Sequence, residues 1–282
     1  MSYLRWLLKK GARRGVALGS AISPHQRGRA AARVRALTYH RFGDSRHDPF
    51  CVRVEDFEAQ MAWLAQERLA VSLAELEAFR AGRQVLPADA VVVTIDDGFR
   101  SLYCAALPIL QRYGIPAVAF LPVGQIDHVQ TATTTGGSSA PEPHLTWEEV
   151  AALCRAGITV GSHAWTHRSL GRMTMNEAHE EAQRSRATLE DRLGVAVTAF
   201  AYPFGTRADF NAGTRAILQR CGYRCAFTSQ HGAVHAGADP FVLPRIKVEG
   251  AEPLWLFRRL VRGGLDAWRW IDRTLWRLQE AA

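Results

Sequence analysis

Apolar residues recur along this chain in two alternating spacings. Short runs rich in β-branched and aromatic residues read as strands over residues 35–40, 90–95, 116–123, 158–163, 195–202, 223–229 and 241–248, with a shorter extended piece at 71–73. Between them, apolar positions return every three or four residues and read as helices. In residues 54–69, Phe57, Met61, Leu64 and Ala65 share one face. Further helices are expected over 74–81, 100–113, 175–193 and 208–221, and another opens at Thr146 with acids in its first turn. Gly82, Gly114 and Gly157 close three of them. Pro108 must kink or split the helix over 100–113. Residues 125–144 are polar without period, a surface excursion or lid. Alternating strand and helix argue for a parallel sheet with helices outside, and about seven strands in a chain of this length favour a barrel, closed or incomplete, over an open sheet.

The 282 residues, 48% hydrophobic and 22% charged, suffice for a sizeable core in one or two domains. The net charge of +8 comes from the N-terminus. Residues 1–46 hold eleven of the 35 Lys and Arg and, of the acids, only Asp44, leaving 24 basic against 26 acidic residues elsewhere. A remainder so near neutrality disfavours a nucleic-acid partner. Residues 1–34 form a basic arm. Tyr3, Leu4, Trp6, Leu7 and Leu8 beside Arg5, Lys9, Lys10, Arg13 and Arg14 suit an anionic membrane surface or a solvated basic tail. Charges break every apolar run there, so no export signal is evident, and the residues after Arg13-Arg14 fit a twin-arginine signal poorly. Residues 251–282 are set apart as a helical segment carrying Trp255, Trp268, Trp270 and Trp276 among arginines, a stripe for packing on the body or for a membrane interface. Of five cysteines, Cys104 and Cys154 read as small core residues, and Cys221 and Cys225 pair only if the backbone allows. With no disulfide framework, the count leans towards a reducing compartment.

Chemistry concentrates where residues 90–95 end in Asp96-Asp97-Gly98. Carboxylates at the carboxyl end of a buried parallel strand lie where barrels and doubly wound sheets place their reactive groups, although Asp-Asp-Gly also suits a plain turn. Two adjacent side chains point different ways, so one can bind a metal while the other takes a proton. Downstream, His163 and His167 stand four apart just past a strand. Two imidazoles and one carboxylate leave an open position, the composition of a hydrolytic metal centre. His231 and His235 share that spacing but lie in a Gly/Ala loop with no carboxylate beside them.

Thr94-Ile95-Asp96-Asp97-Gly98, His163-x-x-x-His167 and Tyr202-Pro203-Phe204-Gly205, in that order, resemble the central motifs of the polysaccharide deacetylase family (NodB homology, carbohydrate esterase family 4). The resemblance spans residues 35–250 and implies a distorted (β/α)7 barrel of parallel strands. It implies Asp97, His163 and His167 as metal ligands, zinc by default, with Asp96 as general base. It implies an oxyanion and substrate region at Tyr202 and Phe204, where a backbone N–H near Phe204 faces the developing charge. Three departures stand out. Ala201 occupies the place of the usual arginine before the third motif, Phe204 replaces a tyrosine, and neither Asp-x-x-Asp-Trp nor a late Leu-x-His is present. With the early Tyr39-His40, these departures resemble the exopolysaccharide branch that includes poly-β-1,6-N-acetylglucosamine deacetylases, where an early histidine is the acid. His40 is therefore the candidate acid, or else a hydrogen-bonded core histidine. Arg245 either replaces the missing arginine in orienting Asp96 or is a plain surface residue.

The implied activity is metal-dependent removal of N-acetyl groups from N-acetylhexosamine units of a cell-surface polysaccharide or its lipid-linked precursor. An O-acetyl esterase on the same site and an inactive barrel that binds glycan or membrane are the alternatives. The expected location is the cytoplasmic face of the membrane, with a periplasmic or membrane-anchored protein as the other reading.

Overall fold

The computed structural model describes residues 3–19, 33–44, 48–128 and 142–270, with side chains of the first segment from Lys10 onward. Its strands are β1 (Arg35–Tyr39), β2 (Arg41–Phe42), β3 (Cys51–Val52), β4 (Val91–Ile95), β5 (Ala117–Leu121), β6 (Thr159–Ser162), β7 (Ala199–Ala201), β8 (Cys225–Phe227) and β9 (Arg245–Lys247). Its α-helices are α1 (Tyr3–Gly19), α2 (Val54–Glu67), α3 (Leu73–Arg80), α4 (Leu107–Tyr113), α5 (Trp147–Arg155), α6 (Met175–Leu193), α7 (Ala212–Arg220) and α8 (Leu254–Val261). Seven strands form one parallel sheet in the order β8-β7-β6-β5-β4-β1-β9. Its two edges nearly meet. Leu243, just before β9, bridges Phe227 of β8, with Leu243 N donating to Ala226 O at 2.9 Å and Thr228 N to Leu243 O at 2.9 Å. The sheet is a nearly closed barrel wrapped by helices, as the strand count and the family resemblance imply.

The pleat sorts the residues into two cores. Leu37, Tyr39, Val91, Val93, Ile95, Ala117, Ala119 and Leu121 face outward and pack with α2, α4 and α5 in the larger core. Ala36, Val92, Val118, Phe120, Ala199, Ala201, Cys225 and Phe227 join a smaller core that Leu73, Leu76 and Phe79 of α3 close from below. That interior set fills the barrel by pairing small residues against large ones. Gly161 belongs to it, since a Cβ there would sit 2.5 Å from the Phe120 ring.

Several expected elements are shorter than the apolar runs that suggest them. The strands over 195–202, 223–229 and 241–248 contract to three residues each, because burial, which sets the apolar runs, continues into the flanking loops at Val197, Tyr202, Tyr223, Leu243 and Val248. The piece at 71–73 reduces to one bridge, Ala70 to Val91, with Ser72 capping α3. β2 and β3 form a separate two-stranded sheet with no counterpart in the hydrophobic pattern. Pro108 does not split its helix. A π-helical turn, Leu102–Ala106, precedes it. The wider turn accommodates a ring that lacks an N–H and crowds the carbonyl four residues back. Of the two cysteines assigned to the core, Cys154 is half-buried and packs against it, whereas Cys104 is exposed; Cys51 and Cys225 are the buried ones. All five cysteines are free thiols.

The N-terminal arm contains a helix, α1, and two of the basic residues read as facing an outer surface are internal. Lys10 Nζ lies 3.1 Å from Glu249, and Arg13 Nε donates to Glu252 at 2.5 Å, with Arg13 Nη2 on the Lys247 carbonyl at 3.0 Å. In the C-terminal segment Trp268 is buried, with the Arg13 guanidinium 5.7 Å from its ring centre, and Trp255 and Trp270 are exposed. Trp276 lies outside the described residues.

Candidate active site

The two-residue period of the strands decides which polar groups converge. Positions 36, 38 and 40 from β1, 92, 94 and 96 from β4, and 161 and 163 from β6 are in phase and point into the barrel. His40, Asp96 and His163 therefore meet at the carboxyl rim. β1 pairs Tyr39 with Ile95, and Asp96 N donates to Tyr39 O at 2.9 Å, which sets His40 and Asp96 side by side.

Asp97 Oδ1 lies 3.4 Å from His163 Nε2 and 3.2 Å from His167 Nε2. The ligand atoms of these three residues lie within 4.8 Å of one another. The set fits a divalent metal. His163 Nδ1–H donates to the Ala201 carbonyl at 2.7 Å, which fixes the tautomer and leaves Nε2 for an ion. His163 and Asp96 are nearly inaccessible to solvent, and Asp97 and His167 are half-buried towards the rim. Among the described residues, eight non-glycine residues have positive φ, and four of them, Asp97, Ala164, His167 and Phe204, lie in or beside this cluster. Such backbone costs about 1–3 kcal/mol per residue and persists where it aims a functional group.

Asp96 is clamped by Arg245. Its two oxygens accept from Nη1 and Nη2, both at 2.7 Å. Arg245 is 3% exposed, its Nε donates to Thr228 O at 2.9 Å, and Nη1 also reaches Thr94 Oγ1 at 3.2 Å. The placement excludes a surface arginine. Burial opposes ionisation of Asp96, but the Arg245 guanidinium and His163 outweigh it and hold the carboxyl below its usual range. Asp97 is likewise held well below that range, burial again being overcome, here by the two imidazoles. His40 behaves oppositely. Burial pushes its pKa down to about 4 against the pull of Asp97 and Asp96, and its Nδ1 is buried without a hydrogen-bond partner.

The third motif divides. Tyr202 is a core residue whose hydroxyl donates to Phe241 O at 3.2 Å, so its phenol does not join the rim cluster. Phe204 does reach it, 61% exposed, with its ring 5.2 Å from that of His167. At φ 60° it is the centre of a γ-turn closed by Gly205 N donating to Pro203 O at 2.7 Å.

Two contributors escape sequence reasoning. Glu181 of α6 accepts from Trp165 N and Thr166 N, both at 2.8 Å, and from Thr166 Oγ1 at 2.7 Å, bracing the loop between the two histidines. Its trace in the sequence is a carboxylate in the buried stripe Ala178, Glu181, Ala182, Ser185, Leu189. His144 pairs with Phe99 beside the site and has no such trace, since it lies in a stretch without period. Burial lowers its proton affinity against the Asp97 charge.

A strand-end carboxylate and two histidines around one point, with a clamped second carboxylate beside them, suit metal-assisted hydrolysis of an acyl group. Comparison with known proteins points to deacetylases. A 26%-identical solved structure, IcaB from Ammonifex degensii, superposes with a TM-score of 0.67 over 83% of this chain and 98% of that one. The poly-β-1,6-N-acetyl-D-glucosamine N-deacetylase of Escherichia coli (strain K12) is 28% identical over 235 residues, covering 71% of this chain and 34% of that protein, so the match spans about a third of that relative's length. A Bacillus subtilis (strain 168) protein provisionally named a polysaccharide deacetylase is 25% identical over 77% of this chain and 72% of its own length. The polysaccharide deacetylase family model matches residues 83–226, half of the chain and the part that holds Asp96, Asp97, His163, His167 and Phe204, and the chain belongs to that family.

Proposed function

We propose that this chain is a metal-dependent N-deacetylase acting on N-acetylglucosamine units of a cell-surface polysaccharide. The observation that carries the reading is the convergence of Asp97, His163 and His167 on one point, next to a carboxylate held ionised by Arg245. The names of the relatives supply the substrate class. Asp97, His163 and His167 would hold the ion, zinc being the first choice for two imidazoles and a carboxylate. When bound it supplies a Lewis acid, which acidifies water and polarises an acyl oxygen.

The residues of the chain account for the remaining steps. Asp96 takes a proton from the water that adds to the amide carbon. The Phe204 N–H, which has no acceptor among the described residues, is offered to the charge developing on the acyl oxygen. Breakage of the C–N bond leaves acetate and an amine whose nitrogen needs a proton. His40 delivers it. Burial keeps the His40 ring neutral near pH 7, so the proton it gives to the amine is the one that Asp96 took from the water, which Asp96 passes to His40 before the C–N bond breaks, leaving both residues as they began.

The test is metal content per chain beside acetate release from a β-1,6-linked N-acetylglucosamine oligosaccharide. About one equivalent of metal is expected in the parent, lost together with activity in His163→Ala and retained without turnover in Asp96→Asn. Full activity in Asp96→Asn would remove the base assignment, and a parent that binds no added zinc would remove the metal centre.

A further inference from the structure

Beside the metal cluster lies a histidine that none of the proposed steps uses. Residues 142–145 run antiparallel to the loop that follows Asp97. Arg100 N donates to Pro143 O at 2.8 Å, Leu145 N to Gly98 O at 2.9 Å, and Ser101 N to a Glu142 oxygen at 3.0 Å. This pinning sets the His144 ring flat on Phe99, with centres 5.0 Å apart and planes 23° from parallel. The Arg41 guanidinium, ion-paired to Asp48, covers Phe99 at 5.3 Å. His144 is 7% exposed, yet neither ring nitrogen has a hydrogen-bond partner among the described residues. Nδ1 is fully enclosed, and Nε2 is the one that reaches solvent. Buried polar groups are nearly always satisfied, so an imidazole held this firmly with both nitrogens unanswered requires an explanation. Because Leu145 N is bonded to Gly98 O and His144 bridges Phe99, the ring stands beside the loop that begins at Asp97, and a group that completes its hydrogen bonding approaches next to the metal ligands.

We propose that His144 is a substrate-contacting residue whose exposed nitrogen hydrogen-bonds a hydroxyl group of the sugar unit carrying the acetamide. This rests on the deacetylase reading above. The exposed nitrogen donates in one tautomer and accepts in the other, and a sugar hydroxyl can answer either. Stacking on Phe99 holds the ring in one orientation, so the contact carries little entropic cost. The residue selects for saccharides. It does not act on the scissile bond.

The test compares two substrates, a β-1,6-linked N-acetylglucosamine oligosaccharide and an aryl acetate that has the acyl group but no sugar. His144→Phe keeps the stacking and removes both nitrogens, and His144→Gln keeps a donor and an acceptor. The expected result for His144→Phe is a KM for the oligosaccharide raised about tenfold, with kcat little changed. Its kcat/KM on the aryl acetate and its metal content should match the parent, and His144→Gln should recover most of the loss. An unchanged KM on the saccharide, or equal losses on both substrates, would overturn the assignment. If His144→Phe does not fold, His144→Gln and His144→Ala make the same comparison, and a loss in Ala that Gln does not restore would again count against it. A parent protein inactive on the oligosaccharide would instead overturn the deacetylase reading, so the two failures are distinct.

Discussion

A carboxylate that is 2% exposed stays ionised only if something holds its charge, and at Asp96 that is the two-point contact with Arg245. Removing one partner of such a pair strands the other. Arg245→Ala is expected to destabilise the metal-free protein by about 3–5 kcal/mol at neutral pH. The pH dependence gives the sharper check. In the parent, the native pKa of Asp96 lies below its unfolded value, so its contribution is present above the ordinary carboxylate range and disappears as pH falls through the native value. In Arg245→Ala, burial acts with less opposition and raises the native pKa, so acid no longer penalises the fold at this residue. The gap between parent and variant in urea denaturation should therefore narrow from pH 7 to pH 4, and an equal gap at both would refute the pairing. This partnership was only half legible in the sequence. Ala201 marked a missing arginine and Arg245 was one candidate to replace it. What decides between partner and surface residue is that β9 lies beside β1 in register with Ala36, which follows from the strand order and from no local pattern. Asp96, Asp97, His163 and His167 were easier to place, because strand ends and spacing are local features.

A loop with two left-handed residues, Ala164 and His167, needs a brace, and α6 provides it through Glu181. The helix itself is well specified. Thr174 accepts from Glu177 N and the Glu177 carboxylate accepts from Thr174 N, a capping box, and Gly194 ends the helix with φ 66°. Its bounds were readable from the sequence for that reason. The role of Glu181 was not, because a glutamate in a charged helix reads as solvated until the neighbouring loop is placed over it. Glu181→Ala removes three acceptor contacts from the loop without touching a ligand. It is expected to weaken zinc binding 10- to 100-fold, read by competition with a chelator, while Glu181→Gln keeps part of the effect by still accepting. Unaltered zinc affinity in Glu181→Ala would mean that the loop holds its own geometry. The same scale explains the short strands. Apolar runs report burial, which continues into the flanking loops, whereas the paired positions of β7, β8 and β9 number three each.

Across the whole molecule, the chain's beginning is joined to its end by charges. Arg13 and Glu252 are 239 residues apart, and both side chains are almost fully enclosed, at 3% and 0% exposure. Lys10 and Glu249 lie beside them, also enclosed. Composition shows the excess of basic residues in the first 46 positions and invites an external anionic partner, but it cannot show that two acids near position 250 answer two of those charges. Pairing at such separation is set by where α1 lands against α8 and the end of β9. A buried pair of this kind is weak evidence for stability in itself, since desolvation offsets most of the attraction, yet breaking it from one side is costly. Arg13→Met should therefore lose about 3–5 kcal/mol, because among the described residues the Glu252 charge then keeps the more distant Lys10, at 3.7 Å, and the Glu249 N–H at 3.3 Å. The double variant Arg13→Met with Glu252→Met should lose less than the sum of the two single changes, since neither charge is then left alone. Denaturation of the four proteins in a double-mutant cycle measures this coupling. If Arg13→Met lay within about 0.5 kcal/mol of the parent, α1 would not be docked in solution, and its basic residues would be available for an external partner after all.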